Sequence, residues 1–437
     1  MIIKSLAPTL AVIAWYTLSG PAASAVTVSD SDWQLSVGGL LQGRVDSARS
    51  KDDAGNDYDI DTASDDSKPA AVDFFLRRAR VAFKATYRQD TGVVIILRAD
   101  GVGHPANSTT AKGIAGTDAA TPNGTTAATG TTLIQQGFVF QKFHTDGVDQ
   151  QVQIGLDYAF HNRQTNVVSS ADNLLPNYAM PAQLLNNRSA GVGYRLNSNY
   201  VTFGADIQNN SAAEGSTSNT AAAPNKSQGL WYSARVEFTG PGSLRIAKDT
   251  ETFIGAQGTG LRLGLDVADN VNARTGGAPA TGTDANPAPN NSQSTLDYGI
   301  DLLGHWDGLT ALVEERWDRV KNQADVGASA PTVHKQAWNA QAGYAIPLNS
   351  FVLEPALRYE RADYKDAPGT VYGLNNYGDY GNSGKQIDVG LNFYWAGNRS
   401  KTSLEYSNWK SLYPGTTATT GSKSTASIFR LQQQLVF

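Results

Sequence analysis

The stretch at residues 73–88, DFFLRRARVAFKATYR, constrains the fold more than any other part of the chain. Successive side chains of a β-strand point to opposite faces. One face of this stretch is strongly basic and carries Arg78, Arg80 and Lys84. The other face is mostly apolar and includes Phe75, although Arg77 interrupts it. The segment exceeds the roughly 5–6 residues of an ordinary strand, whereas a tilted bilayer-crossing strand needs roughly 9–11 and alternates in this way.

A half-buried strand of a soluble sheet would show the same alternation. Features elsewhere in the chain are therefore needed to distinguish a soluble sheet from a membrane-spanning strand. The pattern predicts about sixteen strands, at residues 33–46, 73–88, 93–100, 133–143, 151–158, 189–196, 200–208, 230–238, 258–267, 296–306, 309–320, 335–346, 351–363, 385–395, 401–410 and 425–437. Short and long connections alternate, which is typical of a transmembrane β-barrel. A soluble domain would need many structureless loops longer than about 12–15 residues, which counts against it.

The first 25 residues predict an exported protein. Lys4 precedes an apolar core, and Ala23-Ser24-Ala25 forms a small-residue cleavage site, as in a secretory signal peptide. We therefore expect residues 26–437 to form the barrel. The chain has no cysteine, unlike small secreted domains held by disulfides. The net charge of −5 argues against a nucleic-acid partner.

The last residues, IFRLQQQLVF, continue the alternation to Phe437. A terminal strand that ends in an aromatic residue resembles the C-terminal signature of bacterial outer-membrane barrels, which their assembly machinery recognises. We expect Leu435 and Phe437 to form this assembly signal. The predicted location is the outer membrane of a Gram-negative bacterium, with its lipid and the barrel-assembly machinery as partners.

Three segments resemble the phosphate-selective porin family, the porins O and P. They are FLRRARVAF at residues 75–83, YGIDLLGHWDGLTALVEERWDR at 298–319, and VGLNFYWAGNRSKTSLEY at 389–406 together with the terminal LQQQLVF. The resemblance implies a homotrimer of sixteen-stranded barrels, each with its own pore. It also implies a third loop that folds inward and narrows the pore.

That third loop is expected at residues 161–188, between the fifth and sixth predicted strands. Its few charges, the candidate constriction residues, are Arg163, Asp172 and Arg188. Its apolar residues are suited to packing against the barrel wall, and they are Leu174, Leu175, Met180, Leu184 and Leu185. An ordinary external loop is the alternative, although such a loop would gain little from these side chains.

Strand parity assigns a set of charges to the barrel interior. The predicted pore-lining bases are Arg44, Arg78, Arg80, Lys84 and Arg98, and further interior charges are Arg195, Arg235, Arg262, Arg430, Asp46, Asp100, Asp157, Asp206, Glu237 and Asp266. Arginine binds oxyanions through its planar fork and stays charged. These arginines either interact with permeating anions or simply pair with the neighbouring carboxylates, and the sequence leaves both readings open.

The predicted function is a passive channel for small hydrophilic solutes, in particular anions such as phosphate. A general diffusion porin without anion preference is the alternative. Phosphate-specific members of the family carry lysines near the inner loop, whereas no lysine lies between Lys142 and Lys226 here.

Enzymes and adhesins are disfavoured. The five histidines fit no HExxH motif, and the chain has no nucleophile elbow and no phosphate-binding GxxxxGK[ST] loop. We therefore expect no catalytic residue, no metal site and no cofactor. A plugged adhesin is a remote alternative, because sixteen strands leave an aqueous channel and no plug-sized insertion is visible.

Overall fold

The computed structural model describes residues 26–30, 32–52, 57–58, 71–100, 133–184, 188–209, 230–241, 244–246, 250–256, 258–274, 292–323, 332–364, 383–411 and 423–437. Within these ranges, no helix is long and apolar enough to cross a membrane. The predicted signal peptide at residues 1–25 lies outside the described residues and stays a prediction.

The described chain forms one antiparallel sheet of sixteen long strands that closes on itself. The strands are β1 Trp33–Asp52, β2 Ala71–Tyr87, β3 Thr91–Arg98, β4 Leu133–Thr145, β5 Val148–Tyr158, β6 Arg188–Asn197, β7 Val201–Asn209, β8 Leu230–Thr239, β9 Gly260–Arg274, β10 Ser292–Trp306, β11 Leu309–Gln323, β12 Thr332–Tyr344, β13 Val352–Tyr364, β14 Gly384–Tyr394, β15 Ser400–Ser411 and β16 Lys423–Val436. Each strand pairs with its chain neighbours, and β16 pairs with β1. The predicted barrel of about sixteen strands is confirmed.

Three short strands extend this barrel. Asp57–Tyr58 pairs with the end of β1, and Ile346–Pro347 pairs with the start of β13. Val26–Ser29 pairs with the start of β1 through a turn at Asp30. The Asp30 carboxylate accepts the backbone N–H groups of Trp33 at 2.7 Å and Asp32 at 2.9 Å, and these bonds lower the pKa of Asp30 below its usual value.

Apolar side chains point outward and polar side chains point inward, the reverse of a soluble core. Val139 on the outer face is 56% exposed, whereas Gln153 on the neighbouring strand faces the interior and is 5% exposed. An outer apolar band of this kind is suited to lipid. A closed barrel also pairs all of its strand N–H and C=O groups, as a bilayer requires.

A β-bulge at Arg77 interrupts the alternation of β2. The register runs from Gln42↔Arg78 to Gly43↔Leu76, so Arg77 has no partner position on β1. Such a bulge reverses which face later residues occupy.

The bulge corrects one expectation. Phe75 does not share the lipid-facing side with Val81 and Phe83, because Leu76 and Phe74 point outward before the bulge. Phe75 is 7% exposed and Arg77 is 8% exposed. Arg77 interacts electrostatically with Arg44 and Asp100. It therefore does not lie on the outer, apolar face.

The strand ends differ at the two rims of the barrel. Two hairpins close in Asp-Gly turns, Asp146-Gly147 and Asp307-Gly308, with φ of 40° and 82° in the first and 45° and 86° in the second. Positive φ at both positions suits the twist of paired strands. At the opposite rim, the loop between β5 and β6 turns into the interior through a π-helical turn, Arg163–Val167, and a 3-10 turn, Pro181–Gln183. The predicted inward fold of the third loop is confirmed.

The seam of the barrel provides a test. Phe437 exchanges two backbone hydrogen bonds with Gly39, at 2.6 and 3.0 Å. A Cβ on Gly39 would lie 2.5 Å from the Phe437 ring and 2.7 Å from the Arg80 carbonyl oxygen. Gly39→Ala is therefore expected to lower the free energy of unfolding by about 1–3 kcal/mol through overpacking. The measurement is the temperature at which the barrel unfolds in detergent, followed by gel mobility.

Gly43→Ala is the matched control, because Gly43 lies on the same strand and face and a Cβ there meets no atom within 4 Å. Equal unfolding temperatures for the two variants would contradict a packed seam.

Candidate functional site

The third loop packs across the barrel interior through its apolar residues. Leu174 and Leu175 form a cluster with Ala356 on β13, and both leucines are buried. Met180 and Leu184 belong to a cluster on β12, β13, β15 and β16 that contains Ala337, Ala362, Trp409, Ala426 and Ile428. Leu185 lies outside the described residues. The loop therefore covers the wall formed by the last strands of the chain.

Polar side chains of the wall bind the carbonyl groups of this loop. Arg44 Nη2 donates to the Pro176 oxygen at 2.7 Å, and Arg358 Nη1 donates to the Asn177 oxygen at 2.9 Å. Lys401 Nζ lies 2.9 Å from the Asn173 oxygen. A buried loop would otherwise leave its backbone acceptors unpaired, so these cations make its path possible.

A second segment enters the interior from the opposite rim. The connection between β8 and β9, residues 240–259, contains the short helix α1, Phe253–Ala256. Fully buried Glu251 accepts hydrogen bonds from Arg163 Nη1 at 2.9 Å, Gln164 Nε2 at 2.6 Å and the Leu174 N–H at 3.1 Å. Its own N–H donates to the Asp172 oxygen at 3.1 Å. Glu251 thus anchors the third loop from the rim that carries the short Asp-Gly turns.

The sequence prediction missed this segment. Its signal was the length of the connection at residues 240–259, which lies at the rim where Asp146-Gly147 and Asp307-Gly308 close their hairpins in two residues. A connection so much longer than its neighbours indicates a segment with a role of its own.

The three charges predicted for the constriction are all buried. Arg163 pairs with Glu251, and Asp172 accepts a hydrogen bond from Asn398 Nδ2 at 2.7 Å. Arg188 donates to the Tyr158 hydroxyl at 3.1 Å. Arg188 is the first residue of β6, so the predicted loop extends one residue too far. These side chains anchor the loop and its flanks.

The interior charges of β8–β11 pair with one another. Arg235 contacts Glu237 at 2.8 Å and Asp266 and Asp301 at 2.7 Å each. Arg316 bridges Asp266, at 2.8 Å, and Asp297. The structural-pairing reading therefore holds for this half of the predicted interior set. Removing one member of such a buried network leaves an unpaired charge and costs about 3–5 kcal/mol.

Pairing also explains four other predicted arginines. Arg80 contacts Asp100 at 2.6 Å, Arg195 contacts Asp206 at 2.8 Å, and Arg430 contacts Glu405 at 3.3 Å. Arg262 binds Glu237. Neighbouring strands thus supply most interior arginines with a carboxylate.

The basic residues of β1 and β2 lie beside the third loop. Arg44 is buried and also donates to Gln432 at 2.8 Å. Arg78 donates to the Gln42 oxygen at 2.6 Å, and its guanidinium lies 5.3 Å from the centre of the Tyr178 ring. These two arginines hold the loop tip against the wall that they share.

Arg98 differs from the paired arginines. It lies opposite Arg80 in the register and is 4% exposed, yet its Nη1 has no hydrogen-bond acceptor among the described residues. It interacts electrostatically with Arg188, Tyr158, Asp100 and Arg80. The Arg98 guanidinium is therefore less neutralised than that of Arg80, which contacts Asp100 at 2.6 Å.

Two lysines on the interior face resemble Arg98, because they also lack a carboxylate partner among the described residues. Lys84 on β2 and Lys142 on β4 lie 5.8 and 5.7 Å from the centre of the Phe140 ring. Neither has a carboxylate within 4.0 Å in the described part of the chain. Lys84 is exposed and Lys142 is half-buried.

Exposure locates the water-accessible part of the interior. Several interior-facing residues of β2–β6 keep part of their surface accessible, as at Arg80, Lys142 and Gln151, although Arg98 and Gln153 are buried. Interior-facing residues of β11–β13 lie under the two inward segments and are buried, as at Glu314 and Glu360. The accessible part of the interior surface therefore lies mainly along the wall of β2–β6. In the described ranges, no cluster of three His, Cys, Asp or Glu side chains is arranged to hold a metal ion.

Comparison with known proteins supports the fold. No protein-family model matches the sequence, and no curated protein does so either. Among solved structures, the chain resembles an anion-selective porin from Comamonas acidovorans, with 10% identity and a TM-score of 0.52 over 93% of this chain and 100% of the other. It also resembles the outer membrane channel DcaP of Acinetobacter baumannii, with 13% identity and a TM-score of 0.52 over 94% and 99%. The trimer form of OmpT, an outer membrane protein of Vibrio cholerae, gives 8% and 0.50 over 93% and 99%. The chain thus shares the barrel fold of outer-membrane porins.

Glu251 offers a test of loop anchoring. Glu251→Gln removes the nearer counter-ion of Arg163 and turns an NH₂ group towards existing donors. We expect the free energy of unfolding to fall by about 3 kcal/mol. Trypsin should then cleave at Arg163 in the folded protein, and single-channel currents should show frequent closures.

Asp307→Asn is the charge-matched control in an exposed turn. Protection of Arg163 and quiet currents in Glu251→Gln, as in this control, would refute the anchoring role.

Proposed function

We propose that this chain is a passive channel of the Gram-negative outer membrane that conducts small hydrophilic solutes and prefers anions. One observation carries the proposal. Along the accessible wall of β2–β6, Lys84, Lys142 and Arg98 have no carboxylate within 4.0 Å among the described residues. The carboxylates of the opposite half are buried, and Asp266 and Asp388 among them pair with Arg235 and Arg358.

Electrostatics explains how this arrangement would select solutes. A passage lined by one sign of charge raises the local concentration of the opposite ion. Separated cations bind an anion at several weak sites, so that it enters and still leaves. The anion-selective porin among the structural neighbours supports the same preference. In this proposal Arg44 and Arg78 contribute positive potential, while Arg80 is partly offset by Asp100.

Two kinds of channel fit this proposal, and they differ in the solutes that they select. The resemblance of residues 75–83 to the porins O and P favours oxyanions such as phosphate, and the adjacent Arg98 and Arg188 fit an oxyanion. A general diffusion porin is the alternative, because most other interior arginines already have carboxylate partners. Block of the chloride current by phosphate separates these two candidates.

We further propose a homotrimer inserted in outer-membrane lipid, supported by the trimer form of OmpT among the structural neighbours. The signal peptide at residues 1–25 would direct export, and Leu435 and Phe437 would be read by the assembly machinery. The mass of the protein in detergent tests the trimer, and a monomer or dimer would refute it. That the chain is not an enzyme stays a prediction.

The anion preference is tested by reversal potentials in a planar bilayer with a salt gradient. The wild-type protein should favour chloride over potassium. Lys84→Gln with Lys142→Gln should lower the permeability ratio about two- to threefold, because two charges leave the passage.

Lys385→Gln with Lys410→Gln is the control, since it removes the same charge from exposed positions on the outer face. A wild-type preference for potassium would overturn the proposed anion preference. Equal ratios in the two double variants would remove the lysines from the selectivity mechanism.

A further inference from the structure

Part of the accessible interior wall is apolar. The inner face of a channel-forming barrel is normally polar. Here Val94 and Ile96 on β3 and Phe138 on β4 face the interior and keep part of their surface accessible. The outward-facing residue between the two on β3, Ile95, is 40% exposed on the opposite side of the sheet.

These residues form one continuous surface, the apolar strip of Ala82, Val94, Ile96, Phe138 and Phe140. The register sets Val94 opposite Phe138 and Ile96 opposite Ala82. The Phe138 and Phe140 rings are 6.4 Å apart.

The described apolar side chains of the third loop form clusters on the other half of the barrel. Leu174 and Leu175 cluster with Ala356, and Met180 belongs to a cluster with Trp409, on the other half of the barrel. Water-exposed apolar surface costs free energy, at about 25 cal/mol per Å². The strip is therefore suited to a solute that has apolar surface of its own.

Cations stand at both ends of the strip. Arg98 follows Ile96 by two residues on the same face, which separates their Cα atoms by roughly 6.6–6.8 Å. Lys84 lies opposite Val94, and both Lys84 and Lys142 approach the Phe140 ring. The buried Nη1 of Arg98 has no acceptor among the described residues. A negative group at Arg98 would thus have an apolar surface directly beside it.

We propose that the apolar strip binds organic monoanions with an apolar body, aromatic carboxylates in particular, with the carboxylate at Arg98 and the ring on Ile96, Val94 and Phe138. This inference rests on the proposed anion channel and names a solute class for it. Inorganic phosphate and acetate share the charged contact but lack a ring to cover the strip. Discrimination between anions of equal charge is therefore the signature of the site.

The experiment measures block of the chloride current through the wild-type channel by benzoate and by acetate. Benzoate should reach half-block at a concentration about tenfold lower than acetate, because only its ring is removed from water on the strip. Val94→Thr with Ile96→Thr should raise the half-block concentration of benzoate about fivefold and leave that of acetate unchanged. Threonine keeps the β-branched shape that strands favour.

The matched control is Val93→Thr with Ile95→Thr, which makes the same exchanges on the lipid-facing side of β3. Benzoate and acetate should block the chloride current of this control variant at the same concentrations as in the wild type. If the Val94 and Ile96 variant does not fold, Phe138→Leu replaces it, with an expected threefold weaker block by benzoate.

Three results would overturn the inference while leaving the channel function intact. They are equal block by benzoate and acetate in an anion-preferring channel, unchanged benzoate block in the variants of the strip, and equal weakening in the control variant. A preference for potassium over chloride in the wild type would instead overturn the proposed function on which the inference rests.

Discussion

Pairing of backbone hydrogen-bonding groups is the constraint on which the whole structure depends. A bilayer offers no partner for a strand N–H or C=O, so the ladder between β16 and β1 must close. Closure then divides every strand into a lipid face and an interior face. The interior receives the polar residues, and these need partners of their own because two inward segments cover half of them.

The interior polar residues obtain their partners in two ways. Beneath the inward segments, arginines and carboxylates of neighbouring strands form dense networks such as that of Arg235 with Asp266 and Asp301. Where the loop carbonyls need donors, wall cations such as Arg44 and Arg358 supply them. Charges that meet neither requirement lie on the opposite wall. The paired charges and the charges without a carboxylate partner among the described residues thus lie on different sides of one barrel.

Much of the fold could be predicted from the sequence, because strand alternation and loop spacing are local properties. The inward third loop was predictable from its apolar residues, and Leu174 and Met180 indeed pack against the wall. The bulge at Arg77 was not, since one extra residue leaves no local signal beyond an arginine on the apolar face. The pairing of Arg235 with Asp301 was also beyond reach, because it depends on the register of strands far apart in sequence. Glu251 was missed because a single buried acid in a connection has no motif.

The off-centre passage has a consequence for how such a channel can change over time. Its accessible wall is encoded by one continuous part of the chain, residues 71–197, whereas the covered wall is encoded mainly by residues after 230. Recombination that exchanges the first part between related barrels would bring in a new solute preference as a unit. The third loop belongs to this same part, so an incoming loop would still have to match the anchoring groups Glu251, Arg358 and Lys401 of the other parent.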